Sequence, residues 1–307
     1  MSLEVVWSPI NFSEGRREEV IEEIAGAAGK VRGVRVGAVD PDPDHNRTVV
    51  ALLGPPEAIA EAAFEVARKS VELINIFEHQ GEHPRIGAVD VIPFVPARGV
   101  DMGRCKELAV KVGRRLAEEL ELPVFFYAES ATSPERRNLA DIRKGGLKAL
   151  AMEIATTRRP DLGPTRLHPT AGAVVVGARR PLASFNVNLG TGDIEVARRI
   201  ARAIRERTGG LVGVRALGVN LRSRGIVQVT TTIADPEITP LHRVFELVRM
   251  EAERYGVPVV GSEIIGVAPA SWFVEAAAHY LRLENMQEER LIEWHLLDMM
   301  ERGELGG

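Results

Sequence analysis

Eight consecutive residues, Glu78-His79-Gln80-Gly81-Glu82-His83-Pro84-Arg85, hold two imidazoles, two carboxylates and a guanidinium. Gly81 and Pro84 break any helix through them, and an ordered loop dense in titratable groups is where proton transfer and anion binding are usually sited. His79-Gln80-Gly81-Glu82-His83 also satisfies the His-x-x-Glu-His pattern of the inverted zinc peptidases. That pattern needs a continuous helical turn to bring both imidazoles to one metal. Gly81 weakens such a turn and Pro84 drives His83 toward extended backbone, so zinc is the weaker reading. The stronger one is a loop that uses His83 as an acid or base. A solvated surface pair is the bland alternative. Arg85, Glu82 and the strand-like run Ala88 to Val95 that follows count against it.

A second polar cluster spans Asp40-Pro41-Asp42-Pro43-Asp44-His45-Asn46-Arg47-Thr48. Three Asp at alternate positions resemble a calcium loop, but Pro41 and Pro43 interrupt it, and the sixth and twelfth positions lack the Gly and Glu such a loop requires. No metal is expected. Asp40 and Arg47 are candidates to face a ligand, against the alternative of a solvated hairpin tip. The third segment, Thr157 to Gly172, carries three Pro and two Gly and excludes regular structure. A structureless stretch of this length is either a linker or a binding loop, and its stiffness together with Arg166 and His168 favours a rigid wall against a ligand.

The elements that must position these groups follow from periodicity. Leu3 to Ser8 predicts a strand, Glu14 to Ala28 a helix, Val34 to Val39 and Thr48 to Leu53 strands, Glu57 to Leu73 a helix, and Ala88 to Val95 a strand. The same order recurs later: strand Leu182 to Leu189, helix Ile194 to Thr208, strands Gly213 to Leu221 and Ile226 to Ile233, helix Leu241 to Tyr255, strand Val257 to Ile265. Both halves read βαββαβ, the split βαβ arrangement, and an internal duplication explains them economically. Asn11 runs into Gly15 in the first half as Asn188 runs into Gly190 in the second. Between them lie a predicted helix Asp101 to Leu120, a strand Pro123 to Tyr127 and a helix near Pro134 to Arg143. The expected class is therefore α+β: two duplicated ferredoxin-like subdomains, 1–180 and 181–300, with an inserted α/β segment and connecting loop, and a tail 301–307.

With 307 residues, 45% of them hydrophobic and 27% charged, the chain can bury a substantial core. A net charge of −4 gives no basic footprint for nucleic acid. One Cys, on a helical pattern, excludes an internal disulfide and a thiolate metal cluster. No apolar run approaches a membrane span and no basic leader precedes one, so a cytoplasmic protein is expected.

Taken together, Pro9 to Gly15, Asn46 to Val49, Gly54 to Glu57, His79 to Arg85, Leu116 to Leu120, Asp161 to Pro164, Gly177 to Arg179 and Pro258 to Ser262 are recognisable. From about residue 4 to about 286 the chain resembles the glutamate formimidoyltransferases, the formiminotransferase part of formiminotransferase-cyclodeaminases. That resemblance implies transfer of a formimino group between N-formimino-L-glutamate and tetrahydrofolate, a step of histidine degradation in one-carbon metabolism. It puts the family's catalytic His on His83. Its folate-contacting segment falls on Gly163, Pro164, Thr165, Arg166, Leu167, His168, Pro169, Thr170, Ala171 and Gly172, within the irregular run. Where a member of that family has an aromatic residue this chain has Ala171, so the folate ring is expected to be held differently there.

An amine must attack an amidine carbon and another amine must leave, and a near-neutral His can move both protons. Arg47 and Arg85 suit glutamate carboxylates because a guanidinium binds them bidentately. Asp40 or Glu82 can orient the imidazole or stabilise a cationic amidine, and Asn11 completes the expected substrate side. Folate is expected in the groove between the duplicated halves. A homodimer is expected. The chain leaves no room for a cyclodeaminase domain, so a separate enzyme is expected to take the product. A formyltransferase or N5-formyl-folate-handling enzyme on the same scaffold, and a folate-binding protein without turnover, remain alternatives.

Overall fold

Alternation of apolar and polar side chains decides the strands of this computed structural model, which describes residues 3–81 and 84–304. In β1 (Val5–Phe12), Val6, Ile10 and Phe12 enter one core, and Trp7, Pro9 and Asn11 take the opposite face. The chain continues through α1 (Glu18–Gly29), β2 (Arg35–Asp42), β3 (Arg47–Gly54), α2 (Pro56–Leu73) and β4 (Val89–Arg98). These four strands lie in the order β2-β3-β1-β4 with antiparallel neighbours, the ferredoxin-like arrangement.

The insert then enlarges the sheet. It supplies α3 (Met102–Glu119), β5 (Val124–Phe126), α4 (Leu139–Ile142), α5 (Gly146–Glu153) and β6 (Val174–Ala178). β6 pairs parallel to β4 and β5 parallel to β6, giving six strands. Helices α1, α2 and α3 cover one face through Ile24, Ile59, Phe64, Leu108 and Leu116. On the other face of the enlarged part, Ile142, Leu150 and Ile154 pack on Val91, Phe125 and Val175.

The second half repeats the first without the insert: β7 (Ala183–Leu189), α6 (Ile194–Ile204), β8 (Val214–Leu221), β9 (Ile226–Ile233), α7 (Leu241–Glu253) and β10 (Val259–Ile265), in the order β10-β7-β9-β8. Counted within each half, both sheets run 4-1-3-2. Two helices follow, α8 (Ala270–Leu281) and α9 (Ile292–Glu301). The protein is thus α+β, and it divides into two compact units, Glu4–Arg180 and a second that begins at Pro181. Among the described residues no helix is long and apolar enough to cross a membrane.

Several boundaries differ from the sequence expectation. The first strand is Val5–Phe12, not Leu3 to Ser8, and α1 starts at Glu18 rather than Glu14, because the Glu14 side chain turns back to bind the N–H groups that would have opened the helix. The helix expected over Pro134 to Arg143 is broken into a 3₁₀ turn, Pro134–Arg136, and the short α4. β6, α5, α8 and α9 were not expected. β6 is buried on both faces, so it lacks the alternation that marks a half-buried strand.

Candidate active site

The polar groups singled out in the first half gather at one end of its sheet. Glu14 is 4% exposed. Its Oε1 accepts the N–H of Gly15, Arg16 and Arg17 at 2.9 to 3.0 Å, and Oε2 accepts Arg17 Nε at 2.5 Å. Burial alone would raise its pKa. The backbone N–H groups of Arg16 and Arg17, with the Arg17 guanidinium, outweigh that and hold it below the ordinary carboxylate value. Gly15 is required here, since a Cβ on it would stand 2.3 Å from the carbonyl oxygen of Asp42.

That contact joins the first loop to the β2–β3 turn. Gly15 N–H also donates to Asn46 Oδ1 at 2.9 Å, Thr48 Oγ1 to the Glu14 carbonyl at 2.5 Å, and Arg16 Nε to the Pro43 carbonyl at 2.8 Å. Within the turn, His45 pairs with Asp42 through its Nδ1 and donates its N–H to Asp42 Oδ1 at 2.8 Å. Asn46 takes a left-handed φ of 49°, a conformation Asn tolerates better than most residues.

The turn in turn holds the loop of the first motif. Asn46 Nδ2 donates to the Gln80 carbonyl at 2.9 Å, and His79 Nε2 donates to the Asn46 carbonyl at 2.6 Å. His79 Nδ1 is sealed from solvent with no hydrogen-bond partner among the described residues. Burial first, then the charge of Arg85, lowers the His79 pKa and keeps the ring neutral near pH 7. Arg85 Nη2 closes the loop on the Gly81 carbonyl at 2.7 Å, and a Cβ on Gly81 would lie 2.3 Å from the His45 carbonyl oxygen. Residues 79–81 are not helical.

Register places the remaining candidates. Asp40 lies opposite Val49, Val49 opposite Asn11, Asn11 opposite Val91, and Arg47 opposite Asp42 two residues along. Asp40, Asn11 and Arg47 thus share one face of β2, β3 and β1, the one opposite α1 and α2. A β-bulge falls between Asn11 and Phe12 of β1, where Val91 and Val89 of β4 are their partners and Asp90 is the extra residue. Bulges re-aim a side chain, and Asp90, 3% exposed, accepts Ile86 N–H at 2.8 Å on Oδ1 and ion-pairs with Arg143 through Oδ2. Burial first, then the charge of Arg143, brings the pKa of Arg47 down to about 10, with Asp42 and Asp90 opposing. Four guanidinium groups, Arg16, Arg47, Arg85 and Arg143, therefore act on one another or on the shared carboxylates here.

The irregular run closes against the same loop. Its end folds as a tight turn in which His168 N–H donates to the Gly172 carbonyl at 2.9 Å and Gly172 N–H returns to the His168 carbonyl at 3.2 Å. His168 Nδ1 accepts the N–H of Ala171 at 3.0 Å and of Thr170 at 3.3 Å, leaving Nε2 to carry the proton. Ile76 N–H donates to the Thr170 carbonyl, Ala88 N–H to that of Ala171, and Ala173 N–H to that of Ile86, at 2.8 to 2.9 Å. Gly172 has φ +73° and no room for a Cβ, which would meet the Ile86 carbonyl at 2.4 Å. Ala171 is 1% exposed and faces the core. Leu167 packs on the cluster of Ile142, Leu150 and Ile154, while Gly163, Thr165, Arg166, Pro169 and Thr170 are exposed and Pro164 is half-buried. At its start Asp161 caps Phe126 N–H at 2.8 Å, and Gly163, φ +85°, backs onto Leu122.

Asn11, Asp40, Arg47 and Arg85 are thus brought to one end of the sheet. His83 and Glu82 lie outside the described residues. Sequence reasoning missed Glu14, Asn46, Asp90 and Arg143. A carboxylate in the otherwise apolar run Ala88-Val89-Asp90-Val91-Ile92 was a legible signal, since Asp is seldom fully buried unless paired. Arg143, one of many arginines of the insert, gave none.

A ferredoxin-like unit whose sheet end carries buried carboxylates, a loop imidazole and several guanidinium groups defines an α+β scaffold equipped for proton transfer beside an anion. The family models described as "Formiminotransferase domain, N-terminal subdomain" and "Formiminotransferase domain" match residues 5–179 and 184–299, and the chain belongs to this family. It is 43% identical over 289 residues to "Glutamate formimidoyltransferase" of Streptococcus pyogenes serotype M1, covering 94% of this chain and 97% of that one. A protein of the same name from Thermoplasma acidophilum is 40% identical over 286 residues, 92% and 94% of the two chains. "Formimidoyltransferase-cyclodeaminase" of Mus musculus is 42% identical over 283 residues, of which this chain spans 52%.

Proposed function

We propose that this chain transfers the formimino group between N-formimino-L-glutamate and tetrahydrofolate, giving 5-formiminotetrahydrofolate and L-glutamate. The observation that carries the reading is the guanidinium cluster around Asp42 and Asp90 in a member of the formiminotransferase family. A glutamyl donor brings two carboxylates, and Arg47 and Arg85 match them in charge and in bidentate geometry. Glutamate formimidoyltransferases at 40 to 43% identity over nearly their whole length support the same activity.

In this reading His83 takes the proton of the attacking folate nitrogen and returns it to the departing glutamate nitrogen. Asp40, on the same face as Asn11 and Arg47, stabilises the cationic amidine. The segment 163–172 contacts folate through its exposed side chains and its backbone, since Ala171 and Gly172 are committed to packing.

The test is to incubate pure protein with tetrahydrofolate and either N-formimino-L-glutamate or N-formyl-L-glutamate, following the folate spectrum and L-glutamate release. Stoichiometric release with the formimino donor supports the reading. Turnover with the formyl donor alone transfers the assignment to formyl chemistry, and tight folate binding without turnover overturns it. Arg85→Ala should then raise KM for the donor more than for tetrahydrofolate, and Arg166→Ala the reverse.

A further inference from the structure

Strand β6 ends in Gly177-Ala178 and delivers Arg179 to the end of the first sheet opposite Asn11 and the His79 loop, where formimino transfer gives it no role. Register fixes its row. Trp7 of β1 stands opposite Val95 of β4, and the ladder that pairs Phe94 with Ala178 is extended by Arg179 N–H on the Phe94 carbonyl at 3.0 Å, which sets Arg179 alongside Val95. Gly177 clears the approach of a second aromatic. A Cβ there would meet the Tyr127 ring at 2.6 Å, so glycine lets that ring lie across β6. The Arg179 guanidinium meets both aromatics: its carbon is 5.8 Å from the centre of the Trp7 ring, and it hydrogen-bonds the Tyr127 phenol.

This cluster is rich in donors and short of acceptors. Arg179, half-buried, gives Nη1 to the Arg180 carbonyl at 2.9 Å, and among the described residues no carboxylate pairs with it. Burial presses its pKa below the ordinary value, with only Tyr127 opposing. Trp7 is 6% exposed, and its Nε1, which can only donate, is buried without a partner among the described residues. The Tyr127 oxygen accepts from the guanidinium and keeps its O–H to give. A carboxylate supplies the missing charge and the missing acceptors together.

We propose that Arg179, flanked by Trp7 and Tyr127, holds a carboxylate of the glutamyl tail of tetrahydrofolate and selects the co-substrate by it. The identity of the ligand rests on the formimino-transfer reading, whereas the anion site stands on the donor cluster itself. Reach separates the two substrates. Trp7 and Asn11 share one face of β1 four residues apart, about 13 Å at the usual strand rise. N-formimino-L-glutamate carries its formimino group on the carbon that bears the α-carboxylate, so a donor reacting beside Asn11 keeps its carboxylates there. Tetrahydrofolate sets its p-aminobenzoyl group between N5 and the glutamyl carboxylates and spans the interval.

The experiment compares kcat/KM for tetrahydrofolate and for its diamide, in which both glutamyl carboxylates are made neutral. The proteins are the wild type, Arg179→Gln, Trp7→Phe and, as the exposed neighbour, Arg180→Gln, each with its melting curve. The wild type should prefer the diacid by about tenfold or more, the worth of a charge-assisted hydrogen bond, and Arg179→Gln should bring the two within about threefold. Trp7→Phe, which keeps a ring and removes the N–H, should lose part of the preference and Arg180→Gln none, with KM for N-formimino-L-glutamate within about twofold throughout. A preference that survives Arg179→Gln, or a donor KM that rises as much as that for tetrahydrofolate, overturns the proposal. Binding of p-aminobenzoyl-L-glutamate, followed by calorimetry, separates the two failures. If Arg179→Gln abolishes that binding in a protein that transfers nothing, the formimino reading falls and the anion site stands. A wild type that transfers yet treats diacid and diamide alike does the opposite. Should Arg179→Gln fail to fold, a wild-type crystal soaked with folate decides: a carboxylate within hydrogen-bond reach of the Arg179 guanidinium supports the proposal, and a tail bound elsewhere overturns it.

Discussion

The two halves share one topology and differ in what they bury at the end of the sheet. In the first, Glu14, His45, Asn46 and Asp90 are all below 8% exposed, and the three segments bearing them are knotted together by hydrogen bonds. At the corresponding turn of the second stand Arg222–Arg224 and Gly225, φ +66°, and its buried sheet polars are neutral, the amides Asn186, Asn188 and Gln228 and the hydroxyl of Thr231. Gln228 Nε2 donates to Asn188 Oδ1 at 2.8 Å and Asn188 Nδ2 to Glu263 Oε1 at 2.9 Å, while Asn186 Oδ1 accepts Thr230 Oγ1 at 2.7 Å. Duplication therefore supplies a scaffold twice, and buried ionisable groups specialise one copy. The glycines tell the same story, since a Cβ on Gly15 would overlap backbone whereas on Gly192 its nearest contact would be an ordinary 3.7 Å.

The sharpest break of this comparison is between imidazoles of the two halves. His83→Ala should lower turnover by about 10²- to 10⁴-fold with an unchanged melting curve, the usual loss for a positioned acid or base. His279→Ala, an exposed ring stacked on His242 in the second half, should leave kcat within about twofold. Equal losses would dissolve the asymmetry. Next in size is a stability effect. Asp90→Ala leaves the buried Arg143 without its counter-ion and should cost about 3 to 5 kcal/mol, read from urea unfolding. Glu195→Ala in α6, which leaves only the exposed Arg198, should cost under about 1 kcal/mol by the same measure.

How much of this was legible follows from the physics of each element. The duplicated βαββαβ order showed because half-buried strands and amphipathic helices print their period on the sequence. The loop from His79 to Arg85 and the run from Gly163 to Gly172 showed as dense polar and rigid segments. Strand β6, apolar on both faces, has no period to read. Glu14 reads as an ordinary helix-start carboxylate, and only its three backbone donors reveal why α1 begins four residues later. Asp90 and Arg143 are 53 residues apart, and a pair made by a bulge and an inserted turn leaves no local pattern.

Smaller effects sharpen the comparison further. Gly15→Ala should destabilise by about 1 to 3 kcal/mol through overpacking, and Gly192→Ala by less than about 0.5 kcal/mol. The smallest is a pH dependence. The Glu14 carboxyl titrates below its ordinary value in the folded chain, so its charge stabilises fully above the unfolded value, near 4.3, and that contribution fades as pH falls through the lower folded value. Wild type should thus melt above Glu14→Gln by a constant margin from about pH 6 to 8, and the margin should shrink below about pH 4. A margin that grew on acidification would reverse the sign assigned to this carboxylate.

The central claim is that glutamate is recognised at the end of the first sheet and not at its counterpart. It is tested most directly by kcat/KM for N-formimino-L-glutamate in Arg47→Gln and in Arg224→Gln, each beginning or preceding the third strand of its half. The account predicts a fall of about 10²-fold for Arg47→Gln, the loss of a charge-assisted bidentate contact, and a change within about threefold for Arg224→Gln. Equal effects, or a larger one at Arg224, would contradict it.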